Sequence, residues 1–388
     1  MLTFTIRRLL SIPPLLLGVA LMTFLLLKAA PADFFSEMEM NPALSRVAVI
    51  DAKRDAGLIR ELSVAEIEAL GPVTVNGVEY LIEPDRVLKA GEVLDTRLAA
   101  NELYSFTWKG TIYSYDERGK MYLRIGALEG FVRWVGNVLQ GDFGTSFKFT
   151  GVPVLTLISD RLMNTLTLSL AALILAWGAA IPLGVIAAVK PNSFWDHSSG
   201  FIAFFGLSIP SVFFALLMIL FASYTGWFPI GDMRDTVNYD TMSLWGKMWN
   251  RAHHLVLPTI VIGTGAMAGY MRQARGNMIE ALGQDYVRTA RAKGLPREKV
   301  LFKHALRNAI NPLVTLFGYS LAALLSGSFL VEVVMNWPGM ARLVVDAIIA
   351  KDEPVVMASV MVSAILLVFG NLFADLLLAV VDPRVRLS

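Results

Sequence analysis

Six apolar runs, each long enough to cross the roughly 30 Å hydrocarbon core of a bilayer, decide what this chain can fold into. They lie at about Leu9–Leu27, Leu162–Val189, Gly200–Tyr224, Leu255–Met271, Ile310–Val334 and Val355–Val381. At 388 residues and 55% hydrophobic content, with a mean hydropathy of +0.57, the chain carries more apolar surface than one soluble core buries. The expected fold class is an all-α polytopic membrane protein with six transmembrane helices in the lipid bilayer.

The polar segments between the runs set the topology, because loops rich in Lys and Arg stay in the cytoplasm. Arg7 and Arg8 precede the first run. Starting inside, Lys190–Ser199, Arg272–Asn308 and the Arg384/Arg386 tail all fall in the cytoplasm, with both termini. The first run reads as a retained span: a cleaved signal peptide usually has an apolar core of only about 7 to 15 residues, although Lys28-Ala-Ala-Pro-Ala32 does offer small residues for cleavage. Residues 31–153 carry 13 Lys or Arg against 18 Asp or Glu, a net of −5, which suits the opposite, extracytoplasmic side. Within them Pro42–Leu70 has helical spacing, while Val73–Val75, Val78–Ile82, Leu103–Trp108 and Thr111–Tyr115 alternate as strands do. A small α+β extracytoplasmic insert after the first helix is expected. The domains are then 1–30, an N-terminal helix; 31–153, the insert and a pre-helix segment; and 154–388, a five-helix core. Trp227, Trp245 and Trp249 in the loop Thr225–His254 suit the headgroup interface.

Several chemistries are excluded. With no cysteine, disulfides, thiolate metal sites and cysteine nucleophiles are out. The four histidines (His197, His253, His254, His304) are too scattered for an obvious metal cluster. No Gly-x4-Gly-Lys-Ser/Thr loop is present to cradle ATP phosphates, and no nucleophile elbow or zinc-ligand pattern occurs. Any energy from ATP has to come through a partner.

One polar stretch stands out between two apolar segments: from Met271 to Asn308 nine Lys or Arg oppose three acids. Its composition favours helix up to Lys293; Gly294 suits the left-handed position that ends a helix, and Pro296 the first turn of the next. Two short helices around a glycine bend are expected, a rigid element able to carry a push between subunits.

Asp285-Tyr-Val-Arg-Thr-Ala-Arg-Ala-Lys-Gly294-Leu, then His304-Ala-Leu-Arg-Asn308, resembles the coupling loop of ABC importer permeases of the oligopeptide/dipeptide/nickel family. The wider superfamily has Glu-Ala-Ala-x3-Gly there; Arg288, Thr289 and Ala290 take the first three places, so only Ala290 and Gly294 agree. Gly141-Asp-Phe-Gly-Thr-Ser146, Ser208-Ile-Pro-Ser211 and the ending Asp382-Pro-Arg384 also resemble the family, which covers about residues 1–30 and 128–388. The insert at 33–125 resembles nothing in particular. The resemblance implies a pore-forming permease subunit, not an enzyme, of a bacterial or archaeal plasma membrane importer. Its partners would be a homologous second permease, cytoplasmic ATPase subunits that bind the ATP and Mg, and an extracytoplasmic substrate-binding protein; no cofactor and no nucleic acid are implied for this chain. The loop residues expected to meet the ATPase are Asp285, Tyr286, Arg288, Thr289, Ala290, Arg291, Ala292, Lys293, Gly294 and Leu295. The alternatives are a nucleotide-independent channel or secondary transporter and, third, a membrane enzyme with its site in the insert. Among family cargoes, dipeptides, longer peptides, metal chelates and oligosaccharides all stay open.

Three further features bear on the spans. Asp375 is costly inside a helix unless paired or wet; it reads as part of a gate or as a structural ion pair with Arg272 or Arg275, the pair being expected. Gly265-Ala-Met-Ala-Gly269 fits close helix packing. Pro182 and Pro210 should kink their spans.

Overall fold

The computed structural model describes residues 2–29, 34–41, 43–149, 151–323 and 329–381, with side chains for all of these except 2–9, 37, 315, 318, 319, 321–323 and 373–381. The chain divides into two compact units: Leu21–Leu155 with Ala347–Met357, and Met1–Ala20 with Thr156–Asp346 and Ala358–Ser388.

In the first unit, the last part of helix α1 (Leu2–Ala29), from Leu21, leads to the short helices Phe34–Met40, Arg46–Asp55, Val64–Glu68 and Thr96–Glu102, eight strands, and helix α2 (Ala127–Leu139). The strands β1 (Ile59–Glu61), β2 (Pro72–Val75), β3 (Val78–Ile82), β4 (Val87–Lys89), β5 (Glu92–Leu94), β6 (Phe106–Trp108), β7 (Thr111–Tyr115) and β8 (Met121–Arg124) form two antiparallel sheets, β1-β8-β7-β6 and β2-β3-β4-β5. Three of the hairpins turn on two residues whose second is glycine: Asn76-Gly77, Ala90-Gly91 and Lys109-Gly110, both residues of each at positive φ. That backbone matches the twist of the flanking strands. Val73, Tyr80, Ile82, Val87, Leu103 and Met121 share one core.

Charges tie this core to the helices around it. Arg118 bridges Asp51 (2.9 Å) and Asp116 (2.7 Å), and the Tyr122 hydroxyl donates to Asp116 at 3.2 Å. Burial, with the Asp116 charge beside it, pushes the Tyr122 phenol up to about 12. Glu66 accepts from Arg60 at 2.6 Å and from the Ser63 backbone N–H at 2.9 Å; these bonds hold its carboxyl down at about 2. The Gly141–Ser146 segment is pinned by buried Asp352, which accepts from the Ser146 hydroxyl (2.5 Å) and from the Phe147 and Lys148 N–H groups (3.1 Å each).

The second unit is helical. It contains most of α3 (Val154–Val189), then α4 (Phe194–Ser208), α5 (Ser211–Thr225), α6 (Leu244–Gly283), α7 (Asp285–Ala292), α8 (Asn311–Ala323), α9 (Phe329–Val334), most of α10 (Met340–Ile349) and the greater part of α11 (Glu353–Val381). Among the described residues four stretches are long and apolar enough to cross a membrane: one within Leu10–Met40, then Val154–Val189, Leu244–Gly283 and Glu353–Leu372; α4 and α5 make a fifth if the pair is one span. The run at Gly200–Tyr224 is thus two helices bent by 109° rather than one kinked one. Ile209 is extended and Pro210, which has no N–H to continue the ladder, caps α5. Pro182, by contrast, lies inside an unbroken helix. The run at Ile310–Val334 falls on α8 and α9, and residues 324–328 between them lie outside the described residues.

Missing side chains bring these helices together. A Cβ at Gly184 of α3 would lie 2.7 Å from the Met271 carbonyl oxygen of α6, and one at Gly206 of α4 would lie 2.9 Å from that of Thr264. The close approaches on α6 therefore fall opposite Gly184 and Gly206. Of the two glycines in the Gly265–Gly269 motif, Gly265 meets the Gly206 carbonyl at an ordinary 3.7 Å and Gly269 meets nothing. Glu332 of α9 is fully buried. Its carboxylate accepts from the Thr165 hydroxyl of α3 (2.8 Å) and from the Ala341 N–H of α10 (2.9 Å), while Thr165 accepts the Met340 N–H (2.8 Å). A carboxylate facing the open N–H groups of a helix start is favoured by both hydrogen bonding and the helix dipole.

Candidate functional site

The basic stretch begins where α6 ends. At about 1.5 Å per residue the 40 residues of α6 extend roughly 60 Å, twice the thickness of the hydrocarbon core. Gln284 turns the chain with an extended backbone, and α7 starts at Asp285, an acid in the first turn where the dipole favours it. Helix α7 buries Val287 and Ala290, three residues apart and so on one face. They pack with Met278 and Ala281 of α6 and with Val300, Ala305 and Ala309 further on.

The helix ends as its sequence requires. Gly294 has φ +73°, its N–H bonds the Arg291 carbonyl (3.0 Å), and the Leu295 N–H bonds that of Ala290 (3.4 Å). These are the two bonds of a Schellman cap, with Leu295 packed beside Ala290 as such caps favour. Pro296 then caps Arg297–Lys299, which runs on into a π-helical stretch, Val300–Leu306, and Arg307–Ala309. Bonding from i to i+5 sets residues five apart one above the other. Val300 and Ala305, five apart, are both buried.

The helix–glycine–helix element thus exists, with a π turn in its second half. Of the residues expected to meet an ATPase, Asp285, Tyr286, Arg288, Thr289, Arg291, Ala292, Lys293 and Gly294 are exposed, Leu295 is half-buried, and Ala290 faces the core. Arg288 touches Asp285 only loosely, at 3.4 Å, with both side chains largely in solvent. Arg297, Lys299, Lys303 and Arg307 extend the basic face, and Phe302, 60% exposed, adds an apolar knob to it. Sequence reasoning missed Phe302, since nothing in the pattern distinguishes an exposed aromatic from a buried one beside a π turn.

Of the two arginines expected to pair with Asp375, one has another partner among the described residues. Arg275 donates to Asp196 of α4 through Nε (2.7 Å) and Nη2 (3.1 Å), while Arg272 is exposed. The side chain of Asp375 lies outside the described residues. Asp196 had a local signal of its own: it stands three residues after the helix-capping Ser193, whose hydroxyl accepts its N–H.

Comparison with known proteins bears on the whole chain. Residues 180–387 match the family described as binding-protein-dependent transport system inner membrane component. The oligopeptide transport system permease protein AppB of Bacillus subtilis is 37% identical over 387 residues, covering 100% of both chains, so that match runs through the insert as well. The dipeptide transport system permease protein DppB of Escherichia coli K12 is 38% identical over 272 residues, 66% of this chain and 80% of the relative. Among solved structures, a chain of the MetNI methionine ABC transporter in an inward-facing conformation aligns with a TM-score of 0.45 and 18% identity, over 59% of this chain and 97% of that one.

Proposed function

The chain belongs to the binding-protein-dependent transport system inner membrane component family, and from that premise we propose that it is a pore-forming subunit of an ATP-driven importer of peptides. In this reading six helices cross the membrane with both termini in the cytoplasm, and the α+β insert lies outside. A second, homologous permease completes the pore, two cytoplasmic ATPases power it, and an extracytoplasmic protein delivers cargo. Peptide cargo is taken from the names of the relatives.

The observation that carries the reading is the prebuilt loop at the end of α6. Its inner face, Val287 and Ala290, is fixed in an apolar cluster, its bend is closed by a Schellman cap, and its outer face is basic and free. An element like this moves as one body with α6. By linkage, closure of the ATPases can bias the pore only if the contact differs in free energy between the two pore conformations; a rigid loop on a long helix supplies such a difference without local melting. Arg291 and Lys293 would meet acidic groups on the ATPase, and Gly294 would keep the bend.

The test is to purify the tagged chain from its native membrane in mild detergent, as wild type and as Arg291→Glu with Lys293→Glu, and to identify what comes with it. A second permease and an ATPase with wild type, and loss of the ATPase alone from the variant, are expected. A chain that purifies alone or only with itself refutes the importer reading in favour of a channel or carrier.

A further inference from the structure

Helices α4 and α6 run antiparallel, Asp196 facing Arg275 at one end and Gly206 facing Thr264 and Ala268 further along. Beside this contact lies a cavity of about 590 Å3. Gly200 and Ala203 form part of its lining, Phe204 and Leu207 stand around it as exposed apolar side chains, and Arg272 and Arg275 stand at its polar end. A Cβ at Gly200 would meet nothing within 4 Å, so one side of the groove is open at that point.

We propose that this cavity holds an anionic phospholipid of the cytoplasmic leaflet, its phosphodiester on Arg272 and Arg275 and an acyl chain along Gly200, Phe204 and Leu207. The charges favour that occupant. Asp196 engages Arg275 through two nitrogens, leaving Nη1 without a bond among the described residues, and Arg272 forms no ion pair among them. His197 is committed through Nδ1 to the Ser193 carbonyl. Two guanidiniums against one carboxylate leave an excess of one positive charge between these three groups at the polar end. Guanidiniums pair well with phosphate oxygens, and basic pockets between spans on the cytoplasmic side suit anionic headgroups. An apolar wall continuous with a basic mouth fits a lipid better than a free anion.

The proposal rests on the membrane placement given above. The chain with its co-purifying subunits is exchanged into mixtures of phosphatidylglycerol and phosphatidylcholine, and bound lipid is counted by native mass spectrometry. Wild type should retain phosphatidylglycerol preferentially, and Arg272→Gln should lower that preference about fivefold, the value of one basic residue at a charged surface. Gly200→Leu, which fills the groove and keeps the charges, should lower retention of both lipids. Inorganic phosphate should not compete, and Asp375→Asn should leave the preference unchanged.

An unchanged preference in Arg272→Gln overturns the proposal, as does displacement by phosphate alone. So does a rise in preference on removing the Asp375 carboxylate, which would mean that Asp375 already balances Arg272. Loss of the second permease from Arg272→Gln, with lipid counts intact, would overturn it by making this face a subunit contact. Absence of an ATPase from wild type, with lipid selectivity present, sinks the importer reading and leaves the lipid site standing.

Discussion

Gly294 offers the sharpest perturbation, because its surroundings separate backbone strain from crowding. Its φ is +73°, and a Cβ there would meet nothing within 4 Å. An alanine therefore introduces no clash inside this chain. The cost is the left-handed backbone alone, about 1–2 kcal/mol for a residue with a Cβ, less for asparagine, which visits that region readily, and more for β-branched valine. A penalty of that size shifts the ratio of closed to open bend by about 5- to 30-fold. The inner face should stay docked, since Val287 and Ala290 are untouched. Hydrogen exchange of residues 285–297 in the purified complex should thus rise in the order Gly, Asn, Ala, Val, with the change concentrated at the Gly294 and Leu295 amides. Peptide uptake driven by ATP should fall in the same order. If Asn impairs uptake as severely as Val, side-chain bulk against a partner is the cause and the strain argument is wrong. If Val exchanges and transports like wild type, the bend itself is dispensable.

Three further outcomes follow from the packing and the charges. Gly184→Ala forces apart α3 and α6 at the 2.7 Å approach to the Met271 carbonyl and should lower thermal stability in detergent by about 1–3 kcal/mol; a neutral effect would mean the helices are not in this contact. Thr165→Val keeps the shape but orphans the Met340 N–H and removes one bond to Glu332, so a loss of about 2–4 kcal/mol is expected, and Thr165→Ser should recover most of it. Glu66 has a folded value near 2 against an ordinary 4.5, and the Arg118 guanidinium holds Asp51 low in the same unit. A lowered folded value stabilises above the unfolded one and is lost as pH falls towards the folded one. Hydrogen exchange in residues 59–124 should accordingly accelerate as pH drops from about 4.5 towards 2, after correction for intrinsic rates, and Arg60→Gln should weaken that dependence; a flat profile in wild type would contradict the assignment.

What could be read in advance follows from how local each feature is. The Gly294 stop, the alternation in β2, β3 and β7 and four of the long apolar runs, those on α1, α3, α6 and α11, are set by neighbouring residues, and they stand. Strands β1, β4, β5 and β8 have three or four residues each, and runs such as Val87-Leu88 or Met121-Tyr122-Leu123 set apolar residues side by side instead of alternating them with polar ones. Leu103 reads as part of the strand that runs to Trp108, yet it caps the Thr96–Glu102 helix; its N–H bonds the Ala99 carbonyl of that helix instead of a neighbouring strand. Pro210 marked a disturbance, but the 109° bend depends on what packs on either side. Asp352, Glu332 and Asp196 found partners 205, 167 and 79 residues away, and no spacing rule reaches that far. The Gly265–Gly269 spacing was visible but not its opposite surface, which Gly206 and Gly184 determine.

The π turn at Val300–Leu306 gives this loop one place where its length can change without changing its faces. A π turn acts as an α-turn carrying one surplus residue, so losing one of its seven residues lets the stretch relax to ordinary α-helix and leaves Ala309 on the cluster it shares with Met278 and Val287. The same loss in the α-helix beside it would turn everything downstream by about 100°. Exchanging this loop between permeases therefore depends on where a length difference falls: at the π turn it is absorbed, and elsewhere it presents the right side chains on the wrong face.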